Sequence, residues 1–418
     1  MKRIIVIAIT LICSLLTFAQ QTEDKTVKAE TIQSFIAKSH PAEWYKEQAE
    51  VWQKRVDENP KDEWAWRNLF LATYYHDQKN GNLNATDGKS LPTTLVLGRM
   101  KEAIPDSYTY HLMNTRMGGG SPTGSLARAI ELIPDNAYGG DLSFLAARAW
   151  LNVSIVNEAQ MKQVFTMAYR KQAVPERIMR YNWNMLQSME EGAIYFGNGD
   201  NCLIPGKMAQ EALGLRQDVT ILSIPFFFSK EYRDDLWKKL NIKPFEFKED
   251  FSDYGQYGED WGKHFESDVI MHIIRETGRP CYFFPDIVNY TALNQENLYN
   301  EGLLLKWSEQ PYDNFAVAMK NVHEVYHLEY LAEPNLIYTD WETSDMFDMN
   351  YVHLLAHLVS KSVKKGRNIE GEVLFRLLYQ AILMNHTDKE HKRELIKELH
   401  ESSGQLYSLD EMLEGLER

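Results

Sequence analysis

The chain has 418 residues, a formal net charge of -14 and 44% hydrophobic residues. This length predicts two or three domains with a sizeable core. An acidic surface without a basic cluster repels phosphate groups, so the composition argues against nucleic acid and anionic lipid as partners. Aromatic residues are plentiful, with 10 Trp and 22 Tyr.

The N-terminal segment has the order of a secretory signal peptide. Lys2 and Arg3 precede an apolar run over residues 4–18, and the small residue Ala19 precedes a polar stretch. The run is too short for a comfortable membrane span. The sequence therefore predicts a signal peptide over residues 1–19, cleaved near Ala19. The mature protein is expected to be periplasmic or secreted, with no transmembrane segment.

The chain contains three cysteines. Cys13 follows Ile12 rather than a small residue, and the apolar run continues beyond it, so a lipid anchor is not expected. Cys202 and Cys281 each lie beside a predicted strand. In an oxidising compartment they either form one disulfide or remain two buried thiols, and the sequence leaves both open.

The first half of the chain is predicted to be helical. Residues 20–30 are polar and predicted to be a disordered leader, and residues 31–190 form the helical region. Pro41 suits a first helical turn, and Asp62 can cap the next helix. This pair resembles a tetratricopeptide-type helical hairpin, and a second such pair is predicted around residues 127–150.

Residues 191–310 are predicted to form an α/β region. The order is strand, glycine-rich loop, helix and strand, which is a βαβ unit with a parallel strand pair. The predicted strands span residues 193–196, 219–225, 281–284 and 303–305, and the predicted first helix spans residues 205–213. The last region, residues 311–418, is predicted to return to helices at residues 314–331, 349–364 and 371–384. The predicted fold is a Rossmann-like α/β core flanked by tetratricopeptide-like hairpins, mostly helical overall.

The loop after the first strand is the first candidate site. Asn198, Gly199, Asp200 and Asn201 lie after a strand and before a helix, where open α/β sheets bind ligands. Asp200 and Asn201 are suited to a hydroxyl-rich ligand or a metal, and the helix N-terminus favours an anion. The alternative is a turn whose Asp and Asn side chains bond the local backbone.

A second candidate is the sequence from His323 to His327. On a continuous helix both imidazoles share one face and could hold Zn²⁺, with Glu324 polarising the bound water and Glu342 or Asp345 as a third ligand. The alternative is a solvated helix face. No cofactor is expected unless this zinc hypothesis holds.

Several segments resemble one known family. They are residues 192–201, 209–211, 214–219, 279–283, 301–303 and 351–374. They resemble the soluble C-terminal region of a bacterial multi-spanning membrane-protein family of unknown function, related to protein O-mannosyltransferases. The family usually has a second Asp where this chain has Cys202. The resemblance covers about residues 191–384 and implies a fold and a pathway, but not transferase activity, which belongs to the family's membrane half.

These observations predict an exported, non-catalytic binding or assembly module associated with cell-envelope or protein-glycosylation machinery. The expected partners are proteins of the cell envelope, with a glycan as a second candidate. The Trp and Tyr excess and the helical repeats favour this function, because aromatic side chains suit both kinds of contact. The alternative is a zinc-dependent hydrolase that uses His323, Glu324 and His327.

Overall fold

A computed structural model describes most of the chain. The described residues are 27–34, 37–81, 92–118, 124–152, 156–332, 343–384, 388–405 and 407–417. The predicted signal peptide, Cys13 and Glu342 lie outside them. Contacts divide the chain into two compact units, one of residues up to Ile32 with His40–Met117, the other of Gln33–Ser39 with Gly118–Arg418. No helix among the described residues is long and apolar enough to cross a membrane.

The first unit is helical. Its helices are α1 (Ala42–Glu58), α2 (Glu63–Lys79), α3 (Pro92–Ala103) and α4 (Tyr108–Arg116). Helix α1 begins directly after Pro41, and the side chain of Asp62 accepts a hydrogen bond from the amide of Ala65 at 3.0 Å, as the sequence predicts. Helices α1 and α2 pack together as a hairpin. Its assignment to the tetratricopeptide type stays a prediction.

The prediction that the leader is disordered is wrong for its described residues, 27–30. Residues 27–30 are extended, and their backbone is hydrogen-bonded to Gln48 and Trp52 of α1. Polar composition alone predicted disorder, but the hairpin offers buried partners that order the segment.

The second unit contains all five strands and the remaining helices. The elements up to the third strand are α5 (Ser125–Glu131), α6 (Gly139–Leu151), α7 (Glu158–Arg170), α8 (Glu176–Ser188), β1 (Ile194–Gly197), α9 (Asp200–Leu213), β2 (Thr220–Ser223), α10 (Lys230–Leu240), α11 (Trp261–Thr277) and β3 (Cys281–Phe283). The rest are α12 (Ile287–Tyr290), β4 (Leu298–Asn300), β5 (Leu305–Trp307), α13 (Asn314–Lys320), α14 (Thr343–Lys364), α15 (Asn368–Met384), α16 (Lys389–Ser402) and α17 (Leu409–Glu417). The mostly helical prediction is therefore confirmed.

The five strands form one mixed sheet in the order β2-β1-β3-β5-β4. Strand β1 pairs in parallel with both β2 and β3, so the predicted βαβ unit is confirmed. Strand β5 is antiparallel to β3 and β4. The strand predicted at residues 303–305 instead begins at Leu305, and β4 was not predicted.

The two faces of the sheet differ in chemistry. Ile194, Phe196 and Phe283 point into an apolar core with α10 and α11. The opposite face carries Tyr195 and Tyr282, whose hydroxyls bond the Cys202 carbonyl and the Glu301 carboxylate. Successive side chains of a strand point to opposite faces of the sheet, which separates the apolar side chains from the tyrosines.

Two arginines hold the amino edge of the sheet. The Arg216 guanidinium donates to the carbonyls of Leu186, Met189 and Glu190, which end α8 and lead into β1. From the other side, Arg279 donates to the carbonyls of Gly192 and Ala193. These two side chains fix where β1 starts.

Helix α9 begins at Asp200, five residues before the predicted start, and Pro205 lies inside it. Proline has no amide hydrogen, so it leaves the carbonyl of residue i-4, Asn201, without its helical donor. The buried Asn182 side chain of α8 supplies that donor at 2.9 Å. A side chain from a neighbouring helix thus replaces the missing helical hydrogen bond.

The predicted helix over residues 314–331 is wrong beyond its first part. Helix α13 ends at Lys320, a π-helical turn spans Asn321–Val325, and Tyr326 is extended at ψ 131°. The Asn184 side chain of α8 bonds both the amide and the carbonyl of His327, which holds this extended segment. The apolar pattern alone did not reveal this competing partner.

Contacts also divide the chain near residue 118 rather than at the predicted boundary of 190. Helices α7 and α8 pack on α9, and α8 also packs on α14, so the second half of the predicted helical region belongs with the sheet.

The bond across Pro205 predicts a specific coupling. We expect Asn182→Ala to lower the free energy of unfolding by about 1–3 kcal/mol, because the Asn201 carbonyl loses its donor. In a Pro205→Ala background residue 205 regains an amide hydrogen, so the same substitution should cost about 1 kcal/mol less. Urea denaturation of the two single variants and the double variant measures this coupling. Strictly additive effects would contradict it.

Candidate functional site

The strand order places a topological switch point at the carboxyl end of β1, and we call the space outside the carboxyl ends of these strands the crevice. Strand β2 lies on one side of β1 and β3 on the other, so the connection from β1 to β2 and the connection from β2 to β3 run in opposite directions along the sheet. Helix α9 covers the tyrosine face, and α11 packs on the apolar face. Ligands of open α/β sheets bind at such a switch point, outside the carboxyl ends of the strands.

The predicted loop lies at this crevice. Asn198 and Gly199 connect β1 to α9, whereas Asp200 and Asn201 form the first turn of α9. Gly197 is required here, because a Cβ atom at this position would lie 2.6 Å from Leu203. Among the described hydrogen bonds, none uses the side chains of Asn198, Asp200 or Asn201, although the turn alternative requires such bonds.

Asp286 is the residue that the sequence analysis missed. It follows β3, whose pairing with β1 is extended by a bond from the Phe284 amide to the Phe196 carbonyl. Its Oδ1 atom is buried and has no hydrogen-bond partner among the described residues. Besides burial, its charge raises the pKa of the Cys202 thiol and of the Tyr195 hydroxyl, so it lies within electrostatic range of the start of α9. The sequence did contain a signal for Asp286, namely an acidic residue shortly after the third predicted strand.

Three carboxyl groups on segments at this edge have a raised pKa. Burial raises the pKa of Asp286 to about 6 and that of Glu266, in the second turn of α11, to about 7. Desolvation also raises the pKa of Asp200, although this residue is exposed to solvent. The positive charge of Arg148 opposes that rise. Buried carboxyl groups lower stability when they ionise, and such groups cluster at functional sites.

Both remaining cysteines are free, buried thiols, which decides between the two alternatives for them. Cys281 pairs with Ile194 at the start of β1, whereas Cys202 follows the end of β1. Burial raises the pKa of each thiol to about 12, so neither is a nucleophile at neutral pH. The Cys202 thiol donates to the Gly199 carbonyl at 3.0 Å and shapes the loop.

A larger cavity, of about 880 Å³, lies along the free edge of β2 and not at the crevice. Its polar groups are largely satisfied. Lys207 pairs with Glu211, and Lys239 pairs with Asp235, both within 2.9 Å. The cavity supplies volume, but the three carboxyl groups with a raised pKa lie on segments at the carboxyl edge, which we therefore take as the candidate site.

The three residues of the zinc hypothesis are not brought together by one helix. His323 and Glu324 are exposed on the π-helical turn, and His327 is exposed on the extended segment after it. The described residues contain no group of three or more His, Cys, Asp or Glu side chains arranged around a metal position.

Comparison with known proteins does not assign the chain to a family. No protein-family model matches the chain, and no curated protein is significantly similar to it.

Because the helix is interrupted between the two histidines, we expect less than one equivalent of zinc to remain after incubation with excess metal and desalting. Elemental analysis of the full chain and of His323→Ala measures this. Stoichiometric zinc that disappears in His323→Ala would contradict the expectation.

The raised pKa of Asp286 predicts a pH-dependent stability. The folded state binds the proton more tightly than the unfolded state, so this contribution is present below about pH 4 and is lost as the pH rises through about 6. We expect Asp286→Asn to be near neutral at pH 4 and to stabilise the protein at pH 8 by about 1 kcal/mol, after discounting for partial exposure. Urea denaturation at both pH values measures this.

Asp218→Asn is the matched control of opposite sign. The Arg216 guanidinium lowers the pKa of Asp218, so its contribution is present above the ordinary pKa and is lost as the pH falls. Asp218→Asn should destabilise the protein at pH 8 and less so at pH 3. An Asp286→Asn effect that does not change between pH 4 and pH 8 would refute the assignment.

Proposed function

We propose that the chain is a non-catalytic binding module that holds a hydroxyl-rich ligand, a glycan segment, at the carboxyl edge of its sheet. The observation that carries this proposal is the orphaned Oδ1 atom of Asp286, which follows β3 and lies within electrostatic range of Cys202 in the first turn of α9. A buried oxygen without a partner costs roughly 1–3 kcal/mol, and a ligand hydroxyl would satisfy it.

The polar groups of the crevice suit hydroxyls better than ions. Asn198 and Asn201 offer both donors and acceptors, and the ionised carboxylates of Asp200 and Asp286 accept. A phosphate or carboxylate ligand would be repelled by these two carboxylates, which outweigh the favourable N-terminus of α9.

Exposed aromatic rings lie on segments at the same edge. Phe228 follows β2, Trp261 opens α11 and Tyr290 follows β3, and each is between 36% and 45% exposed. The rings of Phe228 and Trp261 are 5.6 Å apart at their centroids. Such exposed rings favour a binding surface, and they give the apolar faces of sugar rings a flat partner.

The proposed location and partners of the protein rest on sequence features alone. The predicted signal peptide favours a periplasmic or extracellular place of action, and the resemblance to a family related to protein O-mannosyltransferases favours a mannose-containing ligand. Protein partners in the cell envelope remain part of the proposal. The resemblance motivates the choice of ligands in the experiment.

The test is binding of the full mature chain to mannose-, glucose- and N-acetylglucosamine-containing oligosaccharides, measured by calorimetry. We expect affinity for at least one of them to rise between pH 5 and pH 7, because ionised Asp286 is the better acceptor. Asp286→Asn should remove this rise, and Trp261→Ala should weaken binding about tenfold.

Asp106→Asn is the matched control, since Asp106 is an exposed carboxylate of the other unit. It should leave the affinity unchanged. The mass of each oligosaccharide should also be unchanged after incubation, because the module is non-catalytic. Absence of binding to the whole panel, or a rise in affinity between pH 5 and pH 7 that persists in Asp286→Asn, would reject the proposal.

A further inference from the structure

Residues 27–32 lie against the α1–α2 hairpin and are held through their backbone. They are the described part of the leader and the two residues after it, which we include in the leader here. Gln48 accepts from the Glu30 amide at 2.8 Å and donates to the Lys28 carbonyl at 3.0 Å. The Trp52 indole donates to the Glu30 carbonyl at 3.0 Å. These bonds fix residues 28 and 30 without using their side chains.

The next alternate residue is held in the same way. The Ile32 amide donates to Asn68 at 2.8 Å, and the Ile32 carbonyl accepts from Arg67 at 2.9 Å. Four side chains of the hairpin therefore hold the backbone at every second residue. They are at most 3% exposed: Gln48, Trp52, Arg67 and Asn68.

The leader side chains contribute little except at one position. Lys28, Glu30 and Thr31 are exposed, whereas Ile32 is fully buried. The contacts thus select an extended backbone with one branched aliphatic side chain. Backbone readout with a single side-chain pocket is a common mode of peptide recognition.

We propose that the α1–α2 hairpin is a binding site for an extended polypeptide segment of a partner protein, and that the leader occupies this site within the chain. The partner segment carries a branched aliphatic residue at the position of Ile32. Because the leader is covalently attached, its effective concentration at the site is on the order of millimolar, so a partner binds when the leader is displaced. This site belongs to the first unit, whereas the proposed glycan site belongs to the second, so the two proposals are independent.

The experiment uses the full mature chain and a fluorescent peptide of residues 27–34, with fluorescence anisotropy as the readout. Ile32→Asp weakens the leader within the chain, because it places a charge at a fully buried position. We expect this variant to bind the peptide at least about tenfold more tightly than the wild-type chain. A peptide that carries the Ile32→Asp change itself should not bind.

Thr31→Asp is the matched control, because it introduces the same charge at the neighbouring exposed residue. In the chain it should leave peptide affinity at the wild-type level, and in the peptide it should preserve binding. If Ile32→Asp folds, as judged by circular dichroism, and binds the peptide no more tightly than the wild type, the proposal is overturned.

Two further measurements cover the case in which Ile32→Asp does not fold. Glu30→Pro removes the amide hydrogen that Gln48 accepts but keeps Ile32, and Glu30→Ala is its control. Glu30→Pro should bind the peptide more tightly than Glu30→Ala. In the otherwise wild-type chain, a fluorine label on Lys28→Cys should shift when about 5 mM peptide displaces the leader. A label that does not shift at this concentration contradicts the proposal.

Discussion

The start of β1 is the constraint on which the sheet depends. Arg216 bonds the three carbonyls that end α8 and lead toward β1, and Arg279 bonds the two carbonyls that follow them. Buried carbonyls without donors are costly, so these two side chains fix where the helix stops and the strand begins. Since β1 is the strand between β2 and β3, its position also decides where its carboxyl end opens into the crevice.

The two edges of the sheet therefore have different roles. At the amino edge, Asp218 is paired with Arg216, and this pairing lowers its pKa. At the carboxyl edge, Asp286 lacks such a partner, and burial raises its pKa. A carboxyl group that costs stability at neutral pH is a feature expected of a binding site rather than of a scaffold.

Local patterns in the sequence predicted the βαβ unit, the loop after β1 and the Asp62 cap, because each depends on residues close in the chain. They could not predict features that depend on distant partners. The orphaned oxygen of Asp286, the interruption before His327 by Asn184 and the ordering of the leader by Gln48 all require the folded arrangement. The polar composition of the leader predicted disorder, and the apolar period of 3.6 residues predicted a continuous helix over residues 314–331. Both predictions are wrong where such distant partners bind the backbone.

The proline in α9 has a consequence for motion at the crevice. Because the Asn201 carbonyl is held by Asn182, the first turn of α9 is tied to a neighbouring helix at the point where its own ladder of hydrogen bonds is interrupted. Opening that turn therefore requires breaking the bond to α8, and not the helical bond that Pro205 has already removed. Substitutions in α8 that loosen Asn182 would thus free this turn without unwinding the rest of α9.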